Sequence, residues 1–337
     1  MLKVKEIYDF FNYPIENNEK KSLRDLVRLI PDSFIQSADN SREYTDMALI
    51  QEYFHICQKM CEDFLLMNTS SPDVLFVENS YVAAPLDLHY NPTEELKLLE
   101  YGYYDFKYRG FVYTRDYFLN SVLPIDGIKM SGNQDIGTAF YIGENRFVTA
   151  AHCINDMAKF RLLLPDGTPI KLREVWYAKE YDLDVYDLAV IVTDGAMEMP
   201  SFELDEPAVL DDVLVMGYPP ISGFNAVQTA ETATVGGYQK ASIGQVVGAD
   251  KPYGIPLDFF LINARVKGGN SGGPVINNTG YVIGVVVKLP FDNQSSSDNP
   301  RYDLMGYGVC LPSKYIKELM QNPEVIPLAH NGKYYHI

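Results

Sequence analysis

No run of about 18 consecutive apolar residues occurs in this 337-residue chain, so no segment has the length of a membrane-spanning helix. The opening stretch, MLKVKEIYDFFNYPIENNEKK, is interrupted by Glu6 and Asp9 and lacks the unbroken apolar core of a secretory signal. Cysteine is scarce. Cys57, Cys61, Cys153 and Cys310 are too few for a disulfide framework, and with no signal core they point to a reducing, cytoplasmic setting. Positive charge is in deficit too: 28 Lys and Arg stand against 45 Asp and Glu, a net charge of −17. That sign opposes the phosphate neutralisation by which proteins hold nucleic acid, and it opposes docking on an anionic membrane. Tryptophan occurs once, whereas tyrosine occurs 25 times with no motif to give it a role. The remainder is ordinary globular material, since 47% hydrophobic and 22% charged residues exclude disorder. No repeat at solenoid or propeller period is visible. At roughly 150 residues per domain the length allows two domains.

The first 130 residues read as a mainly helical region. Leu23, Leu26, Val27 and Ile30 recur at helical spacing, and Pro31 favours a stop. Residues 41–67 hold the longest helical pattern, with Met47, Ile50, Phe54, Met60, Phe64 and Leu65 on a broad apolar face. That stripe is expected to pack on its own domain, or else to bind a partner helix. VLFV (74–77) and YVAA (81–84) suggest short strands, Pro92-Thr93-Glu94-Glu95 a helix start, and the aromatic run 101–113 a strand pair. His55, Cys57 and Cys61 invite a metal reading, but no fourth ligand lies nearby, so buried free thiols are expected and no metal or other cofactor.

From about residue 131 short β-branched runs alternate with Gly, Pro, Asn and Asp turns, as in TAFYIG (138–143), RFVTAA (146–151), VLVMGY (213–218) and DFFLINARV (258–266). This texture predicts a sandwich or a pair of barrels. NQSSSDNPR (293–301) reads as a polar loop, and Pro312-Ser313 introduces a helix.

Three words carry chemistry: TAAHC (149–153), DLAVI (187–191) and GGNSGGP (268–274). They supply His152, Asp187 and Ser271. A serine hydroxyl is a poor nucleophile until a neutral imidazole takes its proton. A buried carboxylate fixes the imidazole tautomer and stabilises the imidazolium. Glycines around Ser271 permit a tight turn that aims amide N–H groups inward.

The order His–Asp–Ser and these words resemble the chymotrypsin/trypsin superfamily of serine proteases. GNSGG with Asn270, VMGYPP (215–220), GYVIGVVV (280–287) and GYGVCLPSKYIKEL (306–319) resemble its bacterial HtrA/Deg-like branch in particular. The likeness covers about residues 132–320. It implies a mostly β fold of two antiparallel six-stranded β-barrels at 131–322, an N-terminal mainly helical region at 1–130 and a tail at 323–337. It implies Ser271 as nucleophile, His152 as general acid/base, Asp187 as the orienting carboxylate, and the Gly269 and Ser271 amides as oxyanion hole. Arg265, six residues before the serine, is the expected base of a pocket for an acidic side chain; the alternative is that it points away or pairs with a carboxylate. Val286, Val287 and Lys288 are expected to pair with the substrate backbone.

The departures are informative. Asn270 has no full charge with which to hold a newly cut N-terminus. Cys153 has no cysteine near Gly137 to pair with. The roughly 17 residues after 320 leave no room for a PDZ domain. The expected activity is serine endopeptidase action on protein or peptide substrates, held latent or activated by a partner in a stress or defence setting. A regulatory protein bound through residues 1–130 is the expected partner, and a catalytically silent scaffold is the alternative.

Overall fold

The computed structural model describes residues 1–13, 20–31, 34–36, 43–179, 185–220, 239–251, 255–287, 306–332 and 334–337. The chain divides into two units, Met1–Gly110 and Phe111–Ile337. The first holds α1 (Val4–Phe11), α2 (Leu23–Val27), β1 (Phe34–Gln36), β2 (Glu43–Thr45), α3 (Met47–Glu62), β3 (Leu66–Asn68), β4 (Tyr81–Ala83), α4 (Pro92–Tyr101) and the start of α5 (Tyr103–Tyr117). Its helices begin where side chains satisfy the free amides of the first turn. Asp46 Oδ1 accepts from Ala48 N at 2.9 Å, and Asn91 Oδ1 from Glu94 N at 3.3 Å, with Pro92 in the first turn. The inward stripe of α3 is Ile50, Tyr53, Ile56, Cys57 and Met60, whereas Met47 and Phe64 are exposed. These residues join Phe11, Leu26 and Tyr81 in one apolar core. Asp105 accepts from Val4 N with both carboxylate oxygens at 3.1 Å, and so caps α1 from α5.

Two local expectations fail here. VLFV yields a 3₁₀ turn at Phe76–Glu78 in place of a strand. The aromatic run at 101–113 is helical in α5, because Tyr104 and Tyr108, four apart, both reach the core. The helix breaks at Gly110, which adopts a left-handed φ of 73°, and the two units divide there.

The second unit comprises β5 (Val122–Lys129), β6 (Gln134–Tyr141), β7 (Arg146–Thr149), α6 (His152–Asn155), β8 (Met157–Leu162), β9 (Leu172–Ala178) and β10 (Ala189–Thr193). After these come β11 (Asp212–Gly217), β12 (Lys240–Asp250), β13 (Phe259–Ile262), β14 (Pro274–Asn277), β15 (Val282–Val287), β16 (Gly308–Pro312), α7 (Lys314–Gln321), β17 (Pro323–Pro327), β18 (Ala329–Asn331) and β19 (Tyr334–His336). Strands β11-β12-β13-β16-β15-β14 close into a six-stranded antiparallel barrel filled by Val213, Val246, Phe260, Ile262 and Val275. The other sheet runs β17-β9-β10-β7-β6-β5-β8-β19-β18. Its six central strands form the nearly closed first barrel, so the mostly β, two-barrel class stands.

Residues 323–337, set apart as a tail on sequence, extend this sheet at both ends. β17 pairs with β9, and Tyr335 of β19 pairs with Phe160 of β8. The pairing covers edges that would otherwise expose unpaired backbone groups. Lys288 and the loop at 293–301 lie outside the described residues.

Candidate active site

Strands β7 and β10 are paired neighbours, with Ala189 opposite Thr149. His152 lies just past the end of β7, at the start of α6, and Asp187 lies just before β10. The pairing therefore brings the two side chains together. Asp187 is 1% exposed. Its Oδ2 is 2.6 Å from His152 Nδ1, and its Oδ1 accepts from the His152 backbone N–H at 2.9 Å. A carboxylate can only accept, so it holds the proton on Nδ1 and leaves Nε2 as the working nitrogen. Burial alone would lower the His152 pKa; interactions with Cys153 and with Asp187 outweigh it and raise the value from 6.5 to about 10.

Ser271 belongs to the loop between β13 and β14. Gly269 and Gly272 on either side have φ of 90° and 80°. A Cβ on Gly272 would lie 2.2 Å from Thr138 O, and one on Gly269 would lie 2.5 Å from Tyr218 O, so only glycine fits both turns. Among the described residues neither the Gly269 nor the Ser271 amide donates a hydrogen bond, while Asn270 N donates to Lys267 O at 3.0 Å and Gly272 N to Val286 O at 2.7 Å. Among the described residues the loop thus carries two amides not engaged by an acceptor.

Thr138 of β6, fully buried and overlooked by the sequence reading, fastens this loop to the first barrel. Its N–H donates to Ser271 O at 2.9 Å. Its hydroxyl donates to Gly269 O at 2.6 Å and accepts from Tyr218 N at 3.1 Å. Cys153 makes a second tie, with Sγ 3.4 Å from Ser271 O and 3.8 Å from His152 Nε2. A Cβ on Gly137 would come within 2.8 Å of that sulfur, so the thiol occupies the notch the glycine leaves. All four cysteines are free. Among the described residues no hydrogen bond joins Ser271 Oγ to His152.

The expected substrate-binding residues are dispersed. Val286 and Val287 are buried in β15. The Val286 amide donates to Gly273 O at 3.0 Å, and its carbonyl accepts from Gly272 N, so both of its main-chain groups are engaged. Arg265 is exposed and, with Lys240, Lys267 and Asn270, lines a cavity whose walls do not include Ser271. Burial pushes the Cys57 thiol far up, and Cys61 up to about 11; both belong to α3 in the first unit.

Residues 137–285 match the family of trypsin-like peptidase domains. Over 158 residues the chain is 31% identical to the serine protease Rv3671c of Mycobacterium tuberculosis, a match covering 47% of this chain and 37% of that protein. It is 26% identical over 189 residues to a probable periplasmic DegP-like serine endoprotease of Rhizobium meliloti, covering 55% and 32%. With human serine protease HTRA4 the identity is 30% over 153 residues, covering 44% and 29%. The chain therefore spans about a third of the length of the curated relatives it matches. Among solved structures, the active form of the Rv3671c protease aligns with 24% identity and a TM-score of 0.47, covering 62% of this chain and 82% of that one.

Proposed function

From the trypsin-like peptidase domain that residues 137–285 carry, we propose that this chain is a serine endopeptidase. The observation that carries the reading is the two-point grip of Asp187 on His152 beside a loop that presents Ser271 and two available amides. Ser271 Oγ attacks the scissile carbonyl carbon while His152 Nε2 takes its proton. The carbon–nitrogen bond then breaks as that proton passes to the leaving amine, and the acyl group remains as an ester on Ser271. Water repeats the attack, again losing its proton to Nε2, and the acid is released. Asp187 keeps the imidazole in the productive tautomer and balances its charge. The Gly269 and Ser271 amides hold the oxyanion, each contributing about 2.7–4 kcal/mol to the transition state. Val287 extends along the substrate backbone. Arg265 selects acidic groups in the cavity it lines.

A resting state that needs activation fits two observations. His152 Nε2 faces Cys153, and its contacts with Cys153 and Asp187 raise the imidazole pKa, which favours the protonated form over the neutral base. Binding of substrate, or of a partner through the N-terminal region, would bring Ser271 Oγ onto Nε2; catalytic hydrogen bonds are often long before substrate arrives. The free cysteines fit a reducing compartment. The test is labelling of the full chain with a fluorophosphonate, which reacts with an activated serine. Labelling is expected, slow at pH 7, and absent from Ser271→Ala. Labelling that persists in that variant overturns the assignment, and none at any pH favours a silent scaffold.

A further inference from the structure

Asp187 sits at the point of a tight turn. The Leu188 amide donates to the Tyr186 carbonyl at 2.7 Å and closes a three-residue turn around it. The placing of Asp187 therefore follows that of the residue before it. Tyr186 is 1% exposed, and its hydroxyl donates at 2.6 Å to the carbonyl of Tyr315 in the first turn of α7. The two rings meet edge to face, with centroids 5.5 Å apart and planes at 74°.

That turn of α7 is itself fastened to the second barrel. The Tyr315 hydroxyl accepts from the Asp258 amide, just before β13, at 2.7 Å. The Ser313 amide donates to Ile283 O of β15 at 3.0 Å, and the buried Ser313 hydroxyl donates to Asp205 O. Strand β15 also carries Val286, whose carbonyl accepts from Gly272 N beside Ser271. One strand thus holds the serine loop directly and the Asp187 turn by way of α7. Bonds buried in this way hold position, because no water stands ready to replace a lost partner.

We propose that Tyr186 is a positioning residue, which ties Asp187 to the first turn of α7 and so keeps the carboxylate on His152. Control of the imidazole tautomer needs a carboxylate of fixed direction. Here Oδ2 reaches His152 Nδ1 while Oδ1 accepts from the His152 amide. With the tie cut, the turn at Asp187 loosens and both contacts weaken. The groups that raise the imidazole pKa are Cys153, in α6, and Asp187, before β10, and Tyr186 adjoins the second of them. Loss of the tie therefore lowers the His152 pKa and slows the serine together. The positioning claim stands on the geometry; its kinetic consequence rests on the peptidase reading.

The experiment is Tyr186→Phe in the full chain, with Tyr8→Phe as control. Tyr8 also donates a buried hydroxyl to a carbonyl, Ala84 O at 2.8 Å, but in the first unit. The chain has five histidines, few enough to follow each imidazole by NMR against pH. In Tyr186→Phe the His152 midpoint is expected at lower pH than in wild type, a loss of at least about threefold in proton affinity. The fluorophosphonate rate per neutral imidazole should fall about tenfold or more, short of the roughly 10⁴-fold loss that a wrong tautomer brings. Tyr8→Phe should lower the melting temperature and leave both readings at wild-type values. Tyr315→Phe frees the same turn of α7 from Asp258 but keeps the carbonyl. It should move both readings in the same direction by less, and it decides the matter if Tyr186→Phe does not fold. A Tyr186→Phe protein with a wild-type midpoint overturns the proposal, whatever its melting temperature or rate. So does a midpoint that moves equally in Tyr8→Phe. If Ser271 labels in none of these chains, the peptidase reading has failed, and the His152 midpoint still decides the role of Tyr186.

Discussion

Cys153 touches both halves of the proposed machinery, the imidazole through Nε2 and the serine loop through the Ser271 carbonyl. Its contact with His152 is one of the interactions that raise the imidazole pKa. With the folded pKa raised from 6.5 to about 10, protonated His152 stabilises the fold fully below about pH 6.5, and that contribution is lost as pH rises towards 10. Catalysis has the opposite dependence, because only the neutral imidazole can take the serine proton. The kcat/KM profile should therefore climb through neutral pH with an apparent pKa well above 6.5. Replacing Cys153 by Ala removes one of the groups that raise His152 while leaving Asp187 in place, so the limb should move to lower pH and activity at pH 7 should increase. A profile unchanged in Cys153→Ala would mean that Asp187 alone sets the histidine.

At the level of elements, β6 does more than complete a barrel. Thr138 joins it to the Ser271 loop and to the end of β11 through one hydroxyl. Thr138→Val keeps the shape but strands the Gly269 carbonyl and the Tyr218 amide. Each buried group left unsatisfied costs about 1–3 kcal/mol. Loss of roughly 2–6 kcal/mol in chemical denaturation is expected, with a fall in kcat larger than any change in KM because the oxyanion donors share the loop. Thr138→Ser should restore most of both, and full activity in Thr138→Val would show that the loop stands without it. The sequence could not reveal this residue: its partners lie 131 and 80 positions away, and a threonine in a strand looks ordinary. His152, Asp187 and Ser271 were legible because each sits in a short, unusual word. The aromatic run in α5 was misread because the β-propensity of tyrosine is a weaker guide than the spacing of Tyr104 and Tyr108, whose burial shows only in the folded core. Phe64, assigned to the α3 stripe, lies two residues past its last turn, where a left-handed φ of 59° turns it outward.

Among the described residues, separate stretches of chain build separate apolar cores. Phe11, Leu26, Tyr53, Met60 and Tyr81 fill one, and the barrel residues Val213, Phe260 and Val275 fill another, with Gly110 at the division. Separate cores can melt separately, so calorimetry of the full chain should resolve two transitions. Fragment 111–337 should keep one of them, since among the described residues its strands pair only with one another. The fragment also tests whether the N-terminal region restrains the peptidase domain. Position 270 carries no charge with which to hold a new N-terminus, and the proposed restraint is therefore assigned to the first 110 residues. Under that view the fragment reacts with fluorophosphonate faster than the full chain at pH 7. Equal rates for fragment and full chain would remove the N-terminal unit from any inhibitory role. Latency would then rest on His152 and its thiol neighbour alone, and only the pH profile of Cys153→Ala would shift the balance.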